Sequence, residues 1–211
     1  SVDQLSLGFY QNFKSNTIET SFELYYKRIK NYLDYKSGAS IVLNQNIERD
    51  VINTRGRAYG AEFLIRKSTG KLNGWISYTY ARVELQMDDP IAGQIINKGN
   101  YYPANFDKPH SLNVIGNYRF THRYSISLST QYSTGRPITL PIAEFNLAGS
   151  RRLFYSERNQ YRVPDYFRMD FSVNLDGNHK LKQRTHGSWT FGVYNLTARK
   201  NVYSIYFVEE N

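Results

Sequence analysis

The residues able to do covalent or metal chemistry are few and poorly grouped. Four histidines, His110, His122, His179 and His186, stand at no spacing that would gather ligands round a metal ion. His110 follows Asp107-Lys108-Pro109, which brings an acid and an imidazole close together. A barrel-borne hydrolase would need a serine set against both at strand ends, and this pair is too little to specify one. A structural role for His110 at the start of a strand is the stronger reading. Asp88-Asp89 could offer carboxylates to calcium, but two acids before Pro90 also make an ordinary turn. Asn195-Leu196-Thr197 fits a glycosylation sequon by pattern only. Cysteine is absent, so neither disulfides nor thiolate metal sites hold the chain. The chemistry on offer is therefore binding. Tyr101, Tyr102, Phe106, Phe145, Phe154, Tyr155 and Tyr161 lie among polar residues in connecting segments. Such aromatics suit stacking on sugars or contact with peptides, and equally suit loops packing on one another.

The elements that must carry these segments are strands. In His110–Pro137, Tyr124, Ile126, Leu128, Thr130 and Tyr132 alternate with Ser125, Ser127, Ser129 and Gln131. Side chains alternate faces along a strand, so this segment has one apolar, aromatic-ended face and one hydrophilic face. Leu112, Val114, Gly116, Tyr118 and Phe120 repeat the pattern, and only Thr121-His122-Arg123 separates the two halves as a hairpin turn. The same period of two runs through Gln4–Phe13, Thr17–Lys27, Arg57–Lys67, Gly74–Leu85, Tyr166–Leu175 and Ser188–Asn195, although Trp75 and Val83 blur the faces of the fourth strand. Helical periodicity is missing. Connections alternate in length: short at Lys14–Asn16, Ser68–Asn73, Thr121–Arg123 and Asp176–His186, long at Asn31–Arg55, Gln86–Lys108 and Gly135–Arg162. Long strands with one apolar face, joined by connections sorted by parity, predict an all-β, antiparallel transmembrane β-barrel segment of about eight strands, with short periplasmic turns and long extracellular loops. A soluble, secreted β-sandwich binding carbohydrate remains an alternative on alternation alone, as does an outer-membrane barrel enzyme.

Composition fits that reading. No run of about eighteen apolar residues exists, so no transmembrane helix is available, and a mean hydropathy of −0.60 is compatible with strands whose two faces average out. With 19 Tyr and 12 Phe, aromatics exceed the needs of an ordinary core and would supply interfacial girdles. The net charge of +9 comes from scattered Lys and Arg with no nucleic-acid motif, so nucleic acid is not an expected partner. Glu19, Glu23, Glu62, Arg66, Arg119, Arg168 and Asp170 all fall on the hydrophilic face, where a lumen can hydrate or pair them and lipid cannot. No signal peptide opens the chain at Ser1-Val2-Asp3-Gln4, so an exported protein would have had one cleaved or lie downstream of a longer N-terminal part.

Several stretches resemble the C-terminal barrel of TonB-dependent outer-membrane receptors, particularly those of the Bacteroidota. They are Arg55–Arg82, Tyr101–Phe120, Ser133–Pro141 (STGRPITLP), Tyr161–Asn174 (YRVPDYFRMDFSVN) and Trp189–Phe207, in the family's order and covering most of the chain. The resemblance implies a fragment of a barrel of roughly twenty-two strands. On that resemblance the plug domain and final strand would be absent from this stretch, and Arg199–Phe207 would belong to the last outer loop. It implies uptake of a bulky nutrient (glycan, peptide or iron chelate), held by outer loops and plug and driven from the inner membrane. The implied partners are TonB–ExbB–ExbD through the plug, outer-membrane lipid and lipopolysaccharide, and a surface lipoprotein lid. No cofactor is implied, and the location is the bacterial cell outer membrane. Tyr101, Tyr102, Phe106, Phe154, Tyr155 and Tyr161 become substrate-loop candidates. Glu62, in Gly60-Ala61-Glu62, matches a position where family barrel walls meet plug arginines, although a plainly solvated lumenal carboxylate fits as well.

Overall fold

A computed structural model describes residues 1–36, 46–87, 95–147, 149–177 and 187–205. Its long strands are β1 (Val2–Phe13), β2 (Ile18–Tyr35), β3 (Val51–Lys67) and β4 (Leu72–Gln86). After the two-residue β5 (Tyr102–Pro103) come β6 (His110–Arg119) and β7 (Tyr124–Ser133). Four short strands then build the following connection: β8 (Pro137–Ile138), β9 (Pro141–Leu147), β10 (Ser150–Tyr155) and β11 (Tyr161–Arg162). β12 (Tyr166–Asp176) and β13 (Ser188–Val193) complete the order. The long strands pair antiparallel as β1-β2-β3-β4-β6-β7-β12-β13, with β5 added to β4. The sheet does not close. Among the described residues β1 pairs only with β2, and β13 only with β12. The eight expected strands are all present, and the turns β1–β2, β3–β4, β6–β7 and β12–β13 fall at one end with the long connections at the other.

Register makes the alternation a property of the whole sheet. One row runs Phe9, Phe22, Phe63, Tyr78, Leu112, Tyr132, Phe167 across seven strands. Nearer the short turns, Gly116, Leu128, Phe171 and Val193 form another, and Tyr118, Ile126, Val173 and Phe191 a third. The adjacent row on the other face reads Tyr10, Ser21, Leu64, Ser77, Asn113, Gln131, Arg168. Among the described residues no second sheet covers the apolar face: Leu7 is 74% exposed, Phe9 62%, Phe191 63%. An inner sandwich face would be buried, so this uncovered face rules out the sandwich packing.

At the long-connection end the two faces exchange character. On the apolar face Tyr26, Tyr59 and Tyr80 give way to Asp3, Arg28, Arg57 and Glu84, which are direct cross-strand neighbours. On the opposite face, Ile52, Ala58 and Leu85 become buried, and Ile52 and Leu85 join Met87, Ile96, Tyr102 and Ala104 in a small core beneath the loops. Val83 belongs to that core, which is why it breaks the simple alternation. Trp75 lies on the polar face between Arg66 and Ile115. The strands thus leave the apolar band and continue as an ordinary water-soluble sheet whose core is on the other side.

The first long connection is shorter than expected, because β2 runs on to Tyr35 and β3 begins at Val51. A bulge between Ile29 and Tyr32, with Asn31 in the left-handed region at φ 56°, shifts the register without ending the hairpin.

Candidate functional site

Three stretches far apart in sequence meet at the rim. Asp107 is 1% exposed, and its carboxylate accepts Val83 N–H at 2.7 Å and the guanidinium of Arg162. The same guanidinium donates to the carbonyl oxygens of Asp107 at 2.8 Å and Gly135 at 3.0 Å. Gly135 N–H donates to Asp165 at 2.9 Å, and Tyr132 hydroxyl donates to the other oxygen of that carboxylate at 2.7 Å. These two donors, Tyr132 first, hold the Asp165 carboxyl below the usual carboxylate range. A side chain on Gly135 would place its Cβ 1.8 Å from the Val163 carbonyl oxygen, so only glycine lets the two segments approach. Asp107-Lys108-Pro109, STGRP and YRVPD are therefore parts of one fastening. It anchors the β7–β12 connection to the sheet.

A second fastening lies further out. Tyr102 hydroxyl donates to Asp34 Oδ2 at 2.7 Å, and Arg158 Nη1 donates to the same oxygen at 2.8 Å. Burial, then the hydrogen bond to Asp34, pushes the Tyr102 phenol well above its ordinary value. Asn97 clasps the Arg158 backbone, donating to its carbonyl at 3.0 Å and accepting its N–H at 2.7 Å. Asn159, 6% exposed, donates to Pro103 O and Asn105 Oδ1 at 2.7 and 2.8 Å. Connections β2–β3, β4–β6 and β7–β12 are thus tied into one platform. Beside it opens a cavity of ≈ 590 Å³, lined by Ile95, Asn97, Lys98, Tyr155, Glu157 and Arg158 among others, a volume suited to a small ligand or part of a larger one.

The expected loop aromatics separate here. Tyr102 is 1% exposed and forms part of the inter-loop core. Tyr101 is 41% exposed and carries Arg57 over its ring at 4.1 Å. Phe154 and Tyr155, 57% and 53% exposed, stand on the projecting β9–β10 hairpin with Phe145, and Tyr155 alone of the candidates lines the cavity. Phe106 and Tyr161 are exposed and lie elsewhere on the rim. Glu62 lies on the polar face directly between Glu23 on β2 and Thr79 on β4. Other polar-face charges pair with one another, Arg168 with Asp170 at 2.8 Å and Arg66 with Glu19 at 3.7 Å. His110 Nδ1 is 2.8 Å from Tyr78 hydroxyl, and its ring lies against Tyr78 and Tyr80. Among the described residues no three His, Asp or Glu side chains could share a metal ion. Asp88-Asp89, His179 and His186 lie outside the described residues.

Sequence reading passed over Asp34, Arg158, Asn159 and Arg162, which carry most of the fastening. Arg162 and Asp165 lie inside the YRVPD stretch, so their presence is legible in the sequence but not their partners. Asp34 and Arg158 are 124 residues apart, and no local pattern marks them.

The sequence model of one protein family, described as TonB dependent receptor-like, beta-barrel, matches residues 1–196. No curated protein matches the chain.

Proposed function

The chain belongs to the TonB-dependent receptor β-barrel family, and from that premise we propose that it forms part of the wall and outer loops of a bacterial outer-membrane importer. The cargo is a bulky nutrient such as a glycan, peptide or iron chelate. Energy arrives from the inner membrane through TonB–ExbB–ExbD, acting on a plug domain held in the lumen of a barrel of about twenty-two strands. The observation that carries this reading is the uncovered apolar face, continuous in register over the long strands and backed by a polar one. Lipid covers the first and a hydrated lumen the second. The open edges of β1 and β13 support continuation of the sheet by further strands, because lipid satisfies no backbone hydrogen bond. Transport needs no covalent step from this chain.

Within that reading, Glu62 meets a plug arginine. Its neighbour across the pair is Glu23, and like charges directly opposite destabilise a sheet unless a cation lies between or above them. Tyr101, Phe106, Phe154, Tyr155 and Tyr161 are offered to cargo or to a surface lipoprotein lid, while Tyr102 braces the loops from inside.

The test compares Glu62→Gln with Phe63→Arg in the full-length protein. Glu62→Gln should loosen the plug and alter uptake with assembly intact. Phe63→Arg, on the opposite face, should impair insertion by about 2–4 kcal/mol near the midplane. If Glu62→Gln blocked assembly and Phe63→Arg were silent, the reading would fall.

A further inference from the structure

The polar face carries a cavity of its own, well below the rim. Its volume is ≈ 440 Å³, and Ile115, Ser127, Ser129, Ser172, Thr190 and Tyr194 are among the residues that line it. Register gathers them from neighbouring strands. Ser129 stands between Ile115 and Asp170, and Ser127 stands between Asn117 and Ser172, with Gly192 next in that row. Asp170 lies roughly 13 Å down β12 from Tyr166 at the usual rise per residue, so this cavity is separate from the one among the loops.

The polar groups here are set to meet hydroxyls. Arg168 Nε and the Asn195 backbone N–H both donate to Asp170 Oδ1, each at 2.8 Å. Asp170 Oδ2 has no partner among the described residues and remains an acceptor. The Asn174 side chain donates to Ser127 Oγ at 3.4 Å and accepts from Thr190 Oγ1 at 2.9 Å. Ser127 therefore keeps a proton to donate, and Thr190 keeps lone pairs to accept. Ser129 and Ser172 make no side-chain hydrogen bond among the described residues, so each can do both. Arg168 Cζ lies 5.4 Å from the centre of the Tyr194 ring and steadies it, while Tyr194 stays 78% exposed. Ile115 adds an apolar wall. Gly192 leaves the space open, although a Cβ there would lie 3.7 Å from Phe171 O and Ser172 Cβ, an ordinary contact.

We propose that this cavity binds one sugar unit of a neutral glycan, as a station on the lumenal wall below the outer loops. The inference rests on the importer reading and adds the cargo class to it. Sugar hydroxyls both donate and accept, which matches the mixed set of serine, threonine and carboxylate atoms. The C–H face of a pyranose suits an aromatic ring and an aliphatic side chain. The Arg168–Asp170 pair leaves the site without net charge, and its open carboxylate oxygen repels an anionic iron chelate. A peptide backbone offers one donor and one acceptor per residue, too sparse for the hydroxyls and carboxylate that converge here.

Full-length protein in lipid nanodiscs, where both ends of the lumen meet water, would carry Ser129→Cys and be labelled with a water-soluble thiol reagent. Labelling rates would be compared without and with hexasaccharides of glucan, mannan and galactan, with hexa-alanine, and with a ferric trihydroxamate. At least one saccharide should slow labelling about tenfold when present at about ten times its Kd for that variant, since the site is then mostly filled. The peptide and the chelate should leave the rate unchanged. Adding Gly192→Val, which fills the cavity, should abolish the protection. Ser21→Cys, on the same face of β2, should label at one rate throughout. Protection by no saccharide, protection by the peptide or chelate, equal protection of Ser21→Cys, or protection retained with Gly192→Val would overturn the site. A Ser129→Cys that never reacts beside a reactive Ser21→Cys would mean that the plug fills the cavity, and would overturn it too. Reaction of Leu128→Cys in place of Ser129→Cys would instead remove the barrel reading on which the site rests.

Discussion

Tyr102 and Asp34, 68 residues apart, are joined by a 2.7 Å hydrogen bond from phenol to carboxylate inside a core that excludes water. Asp34 is the last residue but one of the long β2 strand and Tyr102 begins the short β5, so this bond fixes where the β4–β6 connection turns back over the sheet. Arg158 completes it from a third connection.

The phenol should make the loop platform sensitive to alkali. Its folded pKa lies above the ordinary 10.0. The stabilisation is therefore complete below pH 10 and lost as pH rises beyond it toward the folded value. Hydrogen exchange of the loops should accelerate in that window. Tyr102→Phe should lose about 1.5–3 kcal/mol of local stability at neutral pH and show a weaker alkaline response. An unchanged response would mean that other groups govern it.

Asp107→Asn should be the most damaging single change at the rim. It removes the charge facing Arg162 in a buried setting, where breaking one side of a pair costs about 3–5 kcal/mol. Adding Arg162→Met should recover part of the loss, since the stranded cation goes too. Strict additivity in protease resistance or unfolding midpoint would contradict a coupled pair.

Acid should release the β7–β12 connection. Asp165 has a lowered folded pKa, so its contribution is present above the ordinary 3.8 and disappears as pH falls through the folded value. Limited proteolysis should show cleavage within Gly135–Arg162 emerging there. Asp165→Asn should show it at neutral pH as well. Gly135→Ala should reproduce the same exposure at any pH, through the clash with Val163.

Cysteine labelling separates the two faces of β7. Ser127 pairs with Asn117 and Ser172, whereas Leu128 pairs with Gly116 and Phe171. In the full-length protein in membranes, Ser127→Cys should react with a water-soluble thiol reagent and Leu128→Cys should resist it. The reverse pattern would invert the assignment of faces.

The sequence by itself determined the strands, their faces and the end at which the long connections gather. These follow from a period of two and from turn chemistry, both local: Ser125, Ser127 and Ser129 against Ile126 and Leu128 fix a face without knowledge of any partner. The YRVPD and STGRP stretches stand out only through their resemblance to the family, as short motifs in its order. Only the tertiary structure decided what those motifs hold. Asp107, Gly135, Arg162 and Asp165 form one fastening because register places three connections over the same end of the sheet. Tyr102 read as an exposed loop aromatic, yet it is buried, since burial depends on Ile52, Leu85 and Met87 lying opposite. Val83 read as an error in alternation, yet it marks where the strands pass out of the apolar band and the side that excludes water changes. A period of two reveals two faces; which one is wet at each height depends on what stands over it, and that is a contact between distant residues.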